Sequence, residues 1–232
     1  MNKSKVIFLF ILFVGFGFLG FLIMNGIKGL FSTTAAPTTT QQSLNVQQQN
    51  FILIHLDDLG SKDPQLVSVW AVFFYPSDPP TITLKELYPH SIPNQEDAKV
   101  LSTFSLTENG ELGSKFRKQL DTYQFPWSGY MIVDHQAVKH LSDWLQIQDM
   151  PLSLQQAVEI PGAYVLTEDE NLWFNQVCRQ LQTLDLQATG TIPWAKMIPD
   201  HYRSTIIFDQ VALIWDSLSR SEIPPHCEVL IP

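Results

Sequence analysis

Twenty-two consecutive uncharged residues, Val6 to Ile27, lie between Lys5 and Lys28. At about 1.5 Å of rise per residue, a helix of that length crosses the roughly 30 Å hydrocarbon core of a bilayer. The run therefore predicts one transmembrane helix. A secretory signal has a shorter apolar stretch with a small-x-small site close behind it, and Thr34-Ala35-Ala36 lies too far downstream for that. Lys3 and Lys5 precede the run and only Lys28 follows closely, so the positive-inside bias places the N-terminus in the cytoplasm and the rest of the chain outside. Gly15, Gly17 and Gly20 spell G-x-G-x-x-G, but no strand precedes them and no helix opens on them, so they read as glycines of the membrane helix. Residues 1–31 are thus expected to be a short cytoplasmic tail and an anchor whose partner, through residues 6–27, is the lipid bilayer.

From Ser32 to Gln49 the chain is rich in Thr, Gln, Ala and Ser and carries no charge, a composition unable to form a packed core. Residues 32–49 are expected to be a disordered tether. A coil of this length has an end-to-end distance on the order of 20–25 Å, which would hold the following domain close to the bilayer. That domain, residues 50–232, has material for a core, since the whole chain is 45% hydrophobic and 12% aromatic. A net charge of −9 argues against a nucleic-acid groove, and two cysteines are too few for a disulfide scaffold or a cysteine-rich zinc module.

Phe51 to Leu56, Leu66 to Phe74, Thr81 to Leu87 and Gly129 to Val133 are apolar, β-branched and aromatic runs bounded by turn signals such as Asp57-Asp58-Leu59-Gly60, and they predict strands. Ala163 to Leu166 is read as a weaker fifth. Leu112, Phe116, Leu120 and Tyr123 recur at helical spacing, as do Ala137, Leu141, Trp144 and Leu145. Thr167 and Glu170 have capping-box spacing, and Phe174, Val177, Cys178, Leu181 and Leu184 then mark a long helix. Val211, Ile214, Trp215 and Leu218 mark a last helix before a closing strand at Cys227 to Ile231. The pattern predicts an α/β or α+β domain with a mixed sheet flanked by helices on both faces.

The nucleophile elbow, the phosphate-binding loop and H-E-x-x-H are all missing. His55 and Asp57 share a strand face with Asp58 adjacent, a pattern that fits a metal site or a strand end with solvated carboxylates. Asp134, His135 and His140 form a looser cluster, in which the two histidines at i and i+5 do not share a helix face. Lys115, Arg117 and Lys118 read as a solvated helix face or an anion patch. Cys178 and Cys227, in an oxidising compartment, are free to pair, or Cys178 is simply packed.

The order of these segments resembles the extracytoplasmic domain of the LytR-CpsA-Psr family over most of residues 50–232. Asn50-Phe51-Ile52-Leu53-Ile54-His55-Leu56-Asp57 is similar to the family's N-I-L-L-L-G-x-D strand, with His for Gly. Gly129-Tyr130-Met131-Ile132-Val133-Asp134 running on to Leu141-Ser142-Asp143-Trp144-Leu145 resembles the family's mid-chain strand and helix. Gln176-Val177-Cys178-Arg179-Gln180 resembles its R-x-x-R-Q helix, and Val229-Leu230-Ile231-Pro232 its final strand. The resemblance implies transfer of a glycopolymer from a polyprenyl-pyrophosphate carrier to the cell wall. Arginines would grip the pyrophosphate, acids would assist, often with magnesium, and an apolar tunnel would house the lipid. Trp70, Phe73, Phe74, Trp144 and Trp173 suit such a tunnel and equally an ordinary core.

The signature departs where the chemistry sits. The family's R-S-D-T aligns with Gln65-Leu66-Val67-Ser68, its P-R-D falls at Tyr88-Pro89-His90, and its basic R-x-R before the long helix is replaced around Thr167-Glu168-Asp169-Glu170. Only Arg179 is kept. Arginine binds pyrophosphate bidentately, and each charge-assisted hydrogen bond contributes about 1.5–3 kcal/mol. Three missing arginines therefore remove several such bonds. The resulting expectation is a non-catalytic, membrane-anchored module of cell-envelope assembly that binds a polyprenyl lipid, a glycan or a protein partner. The alternative is a divergent, metal-assisted phosphotransferase. Arg179 and Gln180 are the candidate anion-binding residues, and Asp57 and Asp58 the candidate magnesium ligands.

Overall fold

The computed structural model describes residues 48–90, 92, 94–151, 154, 163–183 and 192–230. The expected membrane helix and residues 32–47 of the expected tether fall outside these residues, and Gln49, placed at the end of that tether, instead opens the first strand of the sheet. Among the described residues no helix is long and apolar enough to cross a membrane.

Period-two alternation sets the sheet. β1 (Gln49–Leu56), β2 (Leu66–Tyr75) and β3 (Thr81–Tyr88) form an antiparallel meander. The chain then leaves through α1 (Gln95–Thr103), α2 (Ser114–Leu120) and a 3-10 turn (Asp121–Tyr123), and returns as β4 (Gly129–Asp134), parallel to β1. α3 (His135–Trp144) follows β4 directly. Next come α4 (Ala163–Thr183), α5 (Trp194–Met197), the short edge strand β5 (Tyr202–Ser204), α6 (Phe208–Arg220) and β6 (His226–Leu230), which pairs parallel to β3. The sheet is six-stranded and mixed, in the order β5-β4-β1-β2-β3-β6.

Each sheet face has its own core. Ile52, Ile54, Val69, Ala71 and Ile132 point to the side covered by α1 and α2, where Val100, Leu112, Phe116 and Leu120 are buried. Phe51, Trp70, Phe74 and Val133 point to the other side, against Ala137, Val138, Trp173, Phe174, Met197 and Leu218 from α3 to α6. The aromatic residues noted in the sequence divide accordingly. Trp70, Phe74, Trp144 and Trp173 belong to the second core, while Phe73 lies on the opposite face with Phe125, ring centroids 5.3 Å apart.

One expected element is corrected. Ala163 to Leu166 is not a strand but the first turn of the 21-residue α4. A four-residue apolar run has no period that separates strand from buried helix, and here the backbone runs unbroken into the helix that follows. Thr167 to Glu170 consequently lie inside the helix, so Thr167 is not its cap. Cys178 on α4 and Cys227 on β6 form a disulfide with Cα atoms 5.2 Å apart, fastening the helix to an edge of the sheet.

Candidate functional site: a buried acid–imidazole network

The parallel strands β1 and β4 end side by side, and this determines what meets there. His55 lies beside Val133 on β4 and opposite Ser68 on β2, and Leu56 lies beside Asp134, the last residue of β4. Because α3 begins at the next residue, His135 is delivered to the end of β1. Asp134 makes that handover rigid. One carboxylate oxygen accepts from the backbone N–H groups of Gln136 (2.9 Å) and Ala137 (3.0 Å), capping α3. The other accepts from His201 Nδ1 at 2.9 Å and from the N–H of Leu59 at 3.3 Å.

Above this junction α4 places Glu170, which is 2% exposed. Its Oε1 lies 2.5 Å from His55 Nδ1, and its Oε2 accepts from the Trp70 indole N–H at 2.8 Å. The far nitrogen of His55, Nε2, is 2.7 Å from His135 Nδ1. A carboxylate can only accept, so His55 Nδ1 carries the proton it shares with Glu170. A second proton lies between the two imidazoles. Burial, reinforced by the neighbouring His55, pushes the His135 pKa down to about 4, so this ring is neutral near pH 7. Glu170, Asp57 and Asp134 pull in the opposite direction without overcoming burial. Trp70 is fully buried and tilts against Phe174 at 4.6 Å, sealing the network on its sheet side.

Chemically, Glu170, His55 and His135 form a line of two buried hydrogen bonds through which a proton can be shared. It offers no fixed positive group to an anion. Sequence reading missed both ends of it. Glu170 has the spacing of a capping residue in the sequence, yet it lies four positions before Phe174, on the stripe that continues through Cys178. A carboxylate on an apolar face is the signal that marks it. In the sequence His135 groups with His140 on its own helix, whereas its partner in the fold is His55 on a distant strand.

The expected metal and anion residues do not converge. Asp57 Oδ1 accepts from the N–H groups of Asp58 and Gln65, each at 2.7 Å, and Asp58 Oδ1 from that of Gly60 at 2.8 Å, so both acids tie the β1–β2 loop. Magnesium needs near-octahedral oxygen ligands. Among the described residues no group of three or more His, Cys, Asp or Glu side chains is placed to hold a metal ion, and these two loop acids do not fit one. Arg179 is exposed and Gln180 half-buried, nine and ten positions beyond Glu170 on α4, or roughly 14 Å along its axis. Lys115, Arg117 and Lys118 lie on the exposed face of α2.

No protein-family model and no curated protein matches the chain. Solved structures do. The protein gbs0355 of Streptococcus agalactiae superposes with a TM-score of 0.51 at 12% identity, covering 80% of this chain and 77% of that one. The transcriptional regulator yvhJ of Bacillus subtilis gives 0.50 at 11% identity, covering 81% and 84%. TagT bound to LIIa-WTA gives 0.47 at 7% identity, covering 79% and 78%. At such identities the likeness is one of fold alone.

Proposed function

We propose that this chain is a membrane-anchored, LytR-CpsA-Psr-like module of cell-envelope assembly that binds a polyprenyl lipid, a glycan or a protein partner without transferring a glycopolymer. Residues 6–27 hold it in the bilayer, and the domain from residue 50 works outside. The observation that carries the non-catalytic reading is the placement of Glu170. The resemblance implies a cluster of arginines gripping pyrophosphate beside these strand ends, and here a buried carboxylate with a neutral imidazole beyond it occupies the junction. Two like charges about 4 Å apart repel by up to about 4 kcal/mol at an effective dielectric of 20. The grip that a phosphoryl-transfer transition state requires is thereby replaced by opposition.

The test uses the full-length chain with a polyprenyl-pyrophosphate-linked glycopolymer, with and without magnesium or manganese. No release of pyrophosphate-linked product is expected in either condition, while native mass spectrometry of the extracted protein detects a retained polyprenyl lipid. Metal-dependent turnover that Asp57→Ala abolishes would establish the divergent transferase instead.

A further inference from the structure

Two clefts meet at one arginine. The first, about 620 Å³, is walled by Trp194, Tyr202, Ile198 and Val211 beside the edge strand β5. The second, about 590 Å³, lies between the β1–β2 loop and the segment joining α1 to α2, with Lys62, Ser105 and Thr107 in its lining. Both volumes fall within the range of small-molecule sites, roughly 300–1,000 Å³. Gly110 and Arg203 line both clefts. Arg203 is half-buried and lies across the loop at Gly110, where its Nη1 donates to the carbonyl of Asn109 at 2.8 Å. Gly110 has φ +72°, and a Cβ there would stand 1.2 Å from that Nη1. The loop thus gives up a side chain at the one position where the guanidinium crosses it.

The guanidinium has five N–H donors in a planar fork. Among the described residues no carboxylate lies within ion-pair distance of Arg203, although Glu111 lines one cleft and Asp63 and Glu108 the other. The group is held by a carbonyl and, among the described residues, has no carboxylate in ion-pair contact while it lines ligand-sized space on two sides. On the first side Trp194 and Tyr202 stand edge to face, ring centroids 5.3 Å apart, and form an aromatic corner of the cleft. The three acids oppose a ligand of high negative charge and leave room for a single oxyanion.

We infer that Arg203 anchors a binding site for a small amphipathic anion bearing a single oxyanion group, its phosphate or carboxylate on the guanidinium and its ring or apolar body against Trp194 and Tyr202. This site lies apart from the Glu170 network and does not depend on the non-catalytic reading. The test is calorimetric titration of the full-length chain with phenyl phosphate, benzoate, neutral benzyl alcohol and inorganic pyrophosphate. Saturable binding of phenyl phosphate or benzoate is expected, and whichever binds identifies the oxyanion. Benzyl alcohol and pyrophosphate should bind at least tenfold more weakly. Loss of a charge-assisted bond in Arg203→Gln should weaken binding roughly ten- to a hundredfold, and Trp194→Ala should weaken it as well. In the unsubstituted chain, the Arg203 side-chain N–H resonances should shift on titration, a readout that needs no variant to fold. Unmoved Arg203 resonances, equal binding of benzyl alcohol, undiminished binding by a folded Arg203→Gln, or no saturable binding of either anion would each overturn the assignment.

Discussion

Replacing Glu170 by leucine removes the acceptor of two buried donors at once. The His55 Nδ1–H loses its carboxylate, and the Trp70 indole N–H keeps only Ser68 Oγ, at 3.2 Å. An unsatisfied buried donor costs about 1–3 kcal/mol, and a bond to a carboxylate lies at the upper end of what a hydrogen bond contributes. With one fallback bond available to Trp70, the expected loss is about 3–4 kcal/mol. A domain of ordinary stability, about 5–15 kcal/mol, still folds under that load. Glu170→Gln retains one acceptor oxygen but turns its amide N–H₂ toward the other donor, so its loss should be smaller, about 1–3 kcal/mol. The decisive measurement is a double-mutant cycle with His55→Leu, read from urea unfolding at pH 7. If the two groups act as a unit, the double variant loses less than the sum of the single ones by at least about 1 kcal/mol. A loss below 1 kcal/mol in Glu170→Leu, or strict additivity in the cycle, would refute the reasoning that the network is satisfied only as a whole.

The disulfide offers an independent check. A cross-link between positions 49 residues apart constrains the unfolded chain by about 4 kcal/mol, so Cys178→Ser with Cys227→Ser should lower unfolding stability by about that amount. Added reductant should lower it equally in the natural chain and have no effect on the double variant. His135 makes a pH prediction. Its folded pKa, near 4, lies below the ordinary 6.5, so the unfolded chain takes up a proton that the folded one refuses as pH falls between those values. Stability from this source is complete above pH 6.5 and declines towards pH 4, by on the order of 2–3 kcal/mol after solvent screening. His135→Gln should flatten that part of the stability profile measured by urea unfolding at pH 7, 5.5 and 4. An unchanged profile would show that the ring titrates freely.

How far the sequence discloses this molecule depends on whether a signal is local. The strands around Phe51, Leu66, Thr81 and Gly129 were readable because alternation and β-branched runs are written within a few residues. α1 escaped notice because it is polar on most sides. Its buried residues are Asp97 and Val100, and it is started by Asn94, whose side chain accepts from the N–H groups of Glu96 and Asp97. β5 is three residues long, and no period can be read from three. The network was harder still, since His55, Trp70, His135 and Glu170 come from four elements and are joined by topology rather than spacing. A partial trace was present in the sequence: Glu170 interrupts an apolar stripe, and His55 stands where the resembling family has glycine. Each alone reads as a surface residue or a chance replacement. Only the parallel pairing of β1 with β4 brings them together.

That topology also bears on the proposed loss of a transferase site, which one substitution would not restore. Gln65 is exposed, its backbone bonded both ways to Asp57 and its side-chain amide donating to the Asp63 carbonyl. An arginine placed there has Asp57, Asp58 and Asp63 as immediate partners, so its charge is quenched by the loop before a ligand arrives. Val67, aligned with the family's acid, is 2% exposed, and an aspartate in that position would be buried with no cation in place to compensate it, at a cost of several kcal/mol. Arginines brought close to Glu170 would compete with His55 and Trp70 for its two oxygens and unmake the network that closes the strand ends. Each step towards a pyrophosphate grip therefore lowers stability before it adds binding. The acid at 170 and the imidazoles at 55 and 135 form one hydrogen-bonded unit, which has to be exchanged as a set.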